Sequence, residues 1–437
     1  MYSSLKKKTM SVQIVFLSGF LVLISLFSRS FVGLSYQGLL LGELIVGFGF
    51  VLSGIILLSP KNIFAKNNIS NELFIVYKLI VITFIISTLY FESNYFDTYI
   101  YKTSSYIWMA SYMFYSGFLF RDKADAKILA STVWVCQPFL YLFSTGQYPD
   151  KVILFFNTYS DKFQFPKASD TLLVLIISNL LIKKFYRAYY LHTLFSSTAL
   201  FLPLFLFQSR GTFISLIAFL FIEIIFNSKI IFVSLKSIWY LIIFFIIFTL
   251  SSFHTSGLSY EEDIFLENST ISQEISESVI KLANKNDQRN VFLSFYFMDG
   301  RLYSEDTTTN WRLDIWQDVV LDLRTKEQIL IGYGYDSIIP VMLDLSKPGR
   351  LGRDGNNENV HNFIINILAR GGVIQILFFV AFYFFIFKSS FKTSSMYYVY
   401  PLVVPSLLNG LTDINFEGVQ FPFLYYIMLG FFIKDKS

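Results

Sequence analysis

The chain has 437 residues, of which 54% are hydrophobic and only 15% charged, with a mean hydropathy of +0.53. A soluble domain carries about 25% charged residues, so this composition excludes an ordinary soluble fold, and the long unbroken apolar runs exclude the alternating strands of a membrane barrel. A net charge of +4, one cysteine (Cys136) and three histidines leave no disulfide framework, thiolate metal site or histidine metal cluster to expect, and no nucleic-acid partner.

The amino terminus, MYSSLKKKTMSVQIVFLSGFLVLISLFS, has the basic and apolar regions of a signal peptide. No small-residue cleavage site follows, and the apolar run is long enough to cross a bilayer, which predicts a retained first helix. From there the apolar runs predict an all-α integral membrane protein with about twelve transmembrane helices. The predicted spans are 11–28, 38–58, 73–91, 103–120, 128–145, 168–182, 188–207, 212–227, 237–253, 372–387, 396–411 and 418–433. Glu43 falls inside the second, where an ionisable group is costly and marks either a functional site or a pairing within the bundle. Lys78 in the third is read as snorkelling, and His192, at the start of the seventh, as interfacial.

With a cytoplasmic amino terminus, the loops predicted inside collect Lys6, Lys7, Lys8, Lys61, Lys66, Arg121, Lys123, Lys127, Lys183, Lys184, Arg187, Lys229, Lys388, Lys392, Lys434 and Lys436. The short loops predicted outside hold only Arg29, Lys102, Lys151, Lys162, Lys167 and Arg210. This asymmetry follows the positive-inside rule and predicts both termini in the cytoplasm.

Residues 254–360 then form one large outside loop between spans nine and ten. It holds 18 of the 31 acidic and 10 of the 35 basic residues, a net −8 against +12 for the rest. The chain thus divides into a membrane bundle of about nine spans (1–253), a loop domain (254–360) and about three further membrane helices (361–437). Within the loop, ISQEISESVIKLANK and WRLDIWQDVVLDL place apolar residues at three- and four-residue spacing, as amphipathic helices do. In the second, Trp311, Ile315, Val319 and Leu323 share a stripe with Arg312 beside it, suited to resting on the bundle or in the outer headgroup layer. The glycine-rich LSKPGRLGRDGNNENV predicts a mobile segment leading to His361. LIGYGYDS lacks the third glycine of a dinucleotide fingerprint, no phosphate-binding P-loop occurs, and Asn68 and Asn268 match only the short glycosylation sequon.

On this topology Arg210, Arg312 and His361 all approach the outer face. Guanidinium stays charged and grips phosphate bidentately, so two arginines can hold a diphosphate leaving group and stabilise the charge that grows as its glycosidic bond breaks. Imidazole titrates near neutrality and can take a proton from an attacking sugar hydroxyl. Each has an ordinary reading as well. Arg210 fits an interfacial snorkelling residue, Arg312 a surface charge, and His361 a helix cap with Asn362 as a turn residue. Asn362 also suits a substrate contact, while Arg350 and Arg353 fit either a solvated loop or a closure over the donor.

Three pieces of the chain, within about residues 190–390, resemble the O-antigen ligase and polymerase superfamily. SRGTFISLIAFLF resembles its Ser-Arg-Gly turn and apolar helix. WRLDIWQDVVLDLRTKEQILIGYGYDS resembles its arginine-to-tryptophan helix and Gly-x-Gly turn. HNFIINILARGGV resembles the ligase signature, a His-Asn followed after nine residues by glycine, here Gly372. That signature then expects glycine, threonine or tyrosine where this chain has Gln375, a departure that bears on ligase against polymerase.

The resemblance implies catalytic positions at Arg210, Arg312 and His361, with the arginines on the diphosphate of an undecaprenyl-linked glycan and His361 activating the acceptor hydroxyl. It implies no cofactor or metal, membrane lipid around the chain, and an active site on the periplasmic face of the bacterial inner membrane. The acceptor would be lipid A–core for a ligase, a second lipid-linked repeat for a polymerase, or pilin in some relatives. The signature favours ligase. A lipid-linked sugar transporter or flippase is the competing class; no two-half repeat is visible, and transport does not require the large outside domain.

Overall fold

A computed structural model describes residues 18–64, 69–119, 123–231, 236–257, 294–344, 346, 347, 350 and 358–433. These residues are overwhelmingly helical. In chain order the helices are α1 (Ser18–Val32), α2 (Leu41–Leu58), α3 (Asn71–Tyr90), α4 (Thr98–Thr103), α5 (Ser105–Ala110), α6 (Tyr112–Leu119), α7 (Lys123–Ser144) and α8 (Asp150–Tyr159). They continue with α9 (Ala168–Phe185), α10 (Tyr190–Gln208), α11 (Arg210–Ile231), α12 (Lys236–Ser256), α13 (Thr307–Thr325), α14 (Phe363–Ser390), α15 (Met396–Gly410) and α16 (Gln420–Ile433). Seven of these helices are long and apolar enough to cross a membrane, namely α2, α3, most of α7, α10, α11, α12 and α14. This is a multi-pass membrane protein.

Burial sorts the helices by the environment their side chains require. Every residue of α16 is buried, as a helix apolar on all sides must be when it sits inside a bundle. At 14 residues it is only about 21 Å long, shorter than the ~30 Å hydrocarbon core. α12 is the opposite case. It packs on α10 and leaves Trp239, Ile242, Phe245, Leu250 and Phe253 exposed, a surface that suits lipid rather than water. The segment predicted as a span at 103–120 is broken at Ser104 and Ser111, whose hydroxyls bond Trp108 Nε1 (2.9 Å) and the carbonyls of Gly49 (3.0 Å) and Trp108 (2.7 Å).

Several expectations need correction. Glu43 lies within the second span, but at its very start rather than in its interior. It sits exposed in the first turn of α2, where its carboxylate accepts from the Leu40 backbone N–H at 2.9 Å and complements the helix dipole. A fully buried carboxylate lies instead at Glu223 on α11. It is held by Lys183 Nζ (2.9 and 2.6 Å), by the Tyr190 hydroxyl and by Asn227 Nδ2 (2.9 Å), so the desolvated charge is fully compensated. The loop region is not all helical either. A hairpin pairs β3 (Phe295–Met298) with β4 (Arg301–Ser304) through an Asp299-Gly300 turn with both φ positive. A second hairpin, β1 (Ser35–Tyr36) with β2 (Leu39–Leu40), turns at Gln37-Gly38 in the same way.

The tenth predicted span begins too late. α14 starts at Phe363 and breaks at Gly372, with φ +69° and ψ −171°. The cause is the segment 329–334, which inserts its backbone at the break. Val373 and Ile374 N–H donate to the carbonyls of Ile329 (2.9 Å) and Leu330 (3.3 Å), while Tyr333 and Gly334 N–H donate to Ala369 (2.7 Å) and Arg370 (3.1 Å). A Cβ on Gly372 would lie 2.2 Å from the Leu330 oxygen, and one on Gly332 2.6 Å from the Ala369 oxygen. The Gly-x-Gly turn is therefore a backbone docking device, with both glycines at positive φ.

α13 carries the predicted stripe. Trp311, Ile315, Val319 and Leu323 are buried against Tyr333, Ile339, Met342, Val360, Leu368 and Ala369. The helix rests on the first half of α14. The predicted helix at 271–285, the sequon asparagines 68 and 268, and Arg353 lie outside the described residues.

Candidate functional site

The site is assembled from turns at one end of the bundle. Asp306 is the N-cap of α13 and accepts from Thr309 N–H at 2.8 Å. Its other oxygen forms an ion pair with Arg210, the first residue of α11. Burial works against the Asp306 charge, but Thr309 and Arg210 outweigh it and hold the carboxyl below the usual range. One carboxylate thus ties the α10–α11 turn to the start of the helix that carries Arg312. Gly211 lets this turn approach the chain after α15, since a Cβ there would lie 2.0 Å from Thr412 Oγ1.

His361 precedes α14 and is clamped on both sides. The Val360 carbonyl accepts from Trp316 Nε1 of α13 at 2.7 Å, and the His361 ring lies 4.9 Å from the Trp311 ring. Glu358, three residues before, takes hydrogen bonds from the Tyr99 hydroxyl (2.9 Å) and Lys102 Nζ (3.2 Å). The cap of α14 is Asn362, not His361. Its Oδ1 accepts from Ile364 and Ile365 N–H (2.9 and 3.1 Å), and its Nδ2 donates to the Leu411 carbonyl at 2.9 Å. His361 itself has φ +54°, a conformation with a steric cost for any residue with a Cβ.

Arg312 and His361 are half-buried and electrostatically coupled. Burial and then the Arg312 charge drive the imidazole well below its ordinary range, with Asp413 opposing them and Lys167 adding to them. Burial likewise lowers Arg312, against Asp413 and Asp306. Its Nε is buried with no hydrogen-bond partner. The arrangement is a neutral imidazole beside a guanidinium whose donors are not all spent on protein, which suits a proton acceptor next to an anion site.

The other sequence candidate in the loop behaves differently. Arg350 is buried and bonds Asp314 (2.6 Å) and Asp318 (2.9 Å), carboxylates that Arg301 also engages at 2.8 and 2.9 Å. Those two aspartates lie about 140° round α13 from Arg312 at ~100° per residue. The structure brings Arg210, Arg312, His361 and Asn362 together and engages Arg350 on another face of α13.

Sequence reading missed the turn between α15 and α16. Asp413 and Glu417 enter from it, Lys167 from the N-cap of α9, and Arg370 from α14. Burial lifts the Glu417 carboxyl to about 8, against Arg370 and with Asp413. Two carboxylates in a turn predicted to share the outer face with His361 were the available signal. Among the described residues no group of three or more His, Cys, Asp or Glu is placed to hold a metal.

Residues 195–380 match the family described as O-antigen ligase. The match contains Arg210, Arg312 and His361 and stops short of Asp413 and Glu417. No curated protein matches the chain.

Proposed function

We propose, from the match of residues 195–380 to this family of glycan transferases, that the protein transfers a glycan from an undecaprenyl-diphosphate-linked donor to an acceptor hydroxyl, most simply as an O-antigen ligase acting on lipid A–core. The observation that carries the proposal is the convergence of Arg210, Arg312 and His361, separated by 102 and 49 residues, at one end of the bundle.

The chemistry follows from charge. Arg312 and Arg210 bind the diphosphate, Arg210 while still tied to Asp306. The acceptor hydroxyl attacks the anomeric carbon, His361 takes its proton, and the glycosidic C–O bond breaks with its electron pair going to the diphosphate. The arginines stabilise that charge most where it grows. Bound diphosphate offsets the Arg312 charge beside His361, so the imidazole becomes a stronger base when the donor is present.

The reading takes the chain to cross the membrane about twelve times with both termini in the cytoplasm, as its lysine and arginine asymmetry suggests. Several turns on the side predicted outside make contacts with one another and with the segments around His361. Contacts such as Asp161 N–H to the Gly33 carbonyl (2.9 Å), Gly334 against Phe91, and Asn362 to Leu411 link them. A reporter fused near residue 300 that works only in the cytoplasm would overturn the orientation.

Gln375, the departure from the ligase signature, favours polymerase as the second reading. Its carboxamide accepts from the Tyr335 hydroxyl and is fully buried, about 20 Å of helix beyond His361, so it acts in packing the Gly-x-Gly segment. The test is transfer by purified protein from a synthetic undecaprenyl-diphosphate-linked repeat, offered lipid A–core and a second lipid-linked repeat in parallel. Elongation without transfer to lipid A–core makes it a polymerase; neither product sinks the transferase reading.

A further inference from the structure

We propose that Glu417, Gln420 and Arg370 form a hydroxyl-recognising subsite for the acceptor sugar. The proposal rests on the transferase reading above.

Three buried polar groups meet around the α15–α16 turn with atoms left unpaired. Glu417 has a buried Oε1 with no partner, while its backbone carbonyl is fixed by the Ser105 hydroxyl at 3.1 Å. Gln420, 7% exposed, folds its amide over Gly418, donates from Nε2 to Asp170 at 3.2 Å, and leaves a buried Oε1 unpaired. Arg370, 3% exposed, donates to the Ser337 carbonyl and leaves a buried Nε without a partner. Orphaned buried polar atoms are rare, and a protonated carboxyl, an amide oxygen and a guanidinium N–H on neighbouring elements need a ligand that both donates and accepts.

Charge decides which ligand. The cations for the donor come from α11 and α13, whereas this side sets Asp170 and Asp413 against Arg370 and Lys167 around a neutral Glu417 carboxyl. A second anion would meet no excess of positive charge there. One sugar hydroxyl accepts the proton of the Glu417 carboxyl, a bond that ionisation removes, while others donate to Gln420 and accept from Arg370, and Asp413, the shared neighbour of Glu417 and His361, sets the two subsites side by side. The groups facing the Glu417 carboxyl are Arg370 from α14, Asp413 from its own turn, Lys167 from the start of α9 and Tyr106 from α5.

Steady-state transfer with lipid A–core and with a lipid-linked repeat, each titrated at saturating donor, tests the subsite. Gln420→Leu should raise the acceptor KM about 5- to 30-fold while donor affinity, read by direct binding, stays within about twofold. Because burial keeps Glu417 protonated up to about pH 8, the wild-type acceptor KM should climb by up to about tenfold per pH unit above that point. Glu417→Gln should flatten that climb, a readout that survives even if Gln420→Leu does not fold. An unmoved acceptor KM in Gln420→Leu, or an alkaline climb retained in Glu417→Gln, overturns the subsite and leaves the orphaned atoms to water. Absence of transfer by the wild type instead overturns the transferase reading.

Discussion

Replacing His361 separates a catalytic base from a structural residue, because the structure divides those roles between neighbours. The helix cap belongs to Asn362, so losing the imidazole leaves the start of α14 satisfied. The ring contact of His361 with Trp311 is worth about 0.5–1.5 kcal/mol. Its φ of +54° costs about 1–2 kcal/mol for any residue with a Cβ. His361→Gly loses the first and relieves the second, so its stability should stay within about 1 kcal/mol of wild type. His361→Ala loses the contact and keeps the strain, and should be destabilised by about 1 kcal/mol. Activity should ignore this difference. A general base is worth about 10²–10⁴ in rate, or about 2.7–5.4 kcal/mol of transition-state stabilisation, and both variants lack it. The assay is glycan transfer by purified protein, with donor binding and thermal unfolding measured on the same samples. Transfer by either variant within tenfold of wild type refutes the base assignment. A loss confined to His361→Ala would show that backbone strain, not proton transfer, is what matters at this position.

Arg312→Lys and Arg210→Lys keep the charge but lose the bidentate fork, and should each lower turnover by about 10–100-fold; rates near wild type would reduce the arginines to surface charges. Asn362→Ala should cost about 0.5–2 kcal/mol of stability in a thermal melt and also slow transfer, since the tie to Leu411 is lost; a melt unchanged from wild type would contradict the capping role. Gly372→Ala combines positive φ with a Cβ 2.2 Å from the Leu330 oxygen, for about 2–5 kcal/mol of destabilisation. Gly47→Ala, with nothing within 4 Å, is the neutral control against which that loss is judged. In the pH profile, burial and Arg312 hold His361 unprotonated well below its ordinary 6.5, so the acid limb of kcat/KM should lie below that value. The limb of kcat should lie higher because bound diphosphate offsets Arg312, and the opposite order would argue against adjacent donor and base.

The sequence by itself determined the membrane class, the positions of most helices and the amphipathic face of α13, and it singled out Arg210, Arg312 and His361 for the proposal. Apolar runs and helical periodicity are local properties, and a lysine or arginine in a short loop reports orientation without any knowledge of packing. Local pattern also misled. Glu43 looked buried because its neighbours are apolar, and α14 looked shorter because two glycines interrupt its run. Only the tertiary structure assigned the cap to Asn362, spent Arg350 on Asp314 and Asp318, seated the Gly-x-Gly turn in the break at Gly372, and brought Asp413 to both His361 and Glu417. Each of these depends on backbone and charge contacts between segments tens of residues apart, and such contacts are fixed by how helices pack rather than by the residues on either side.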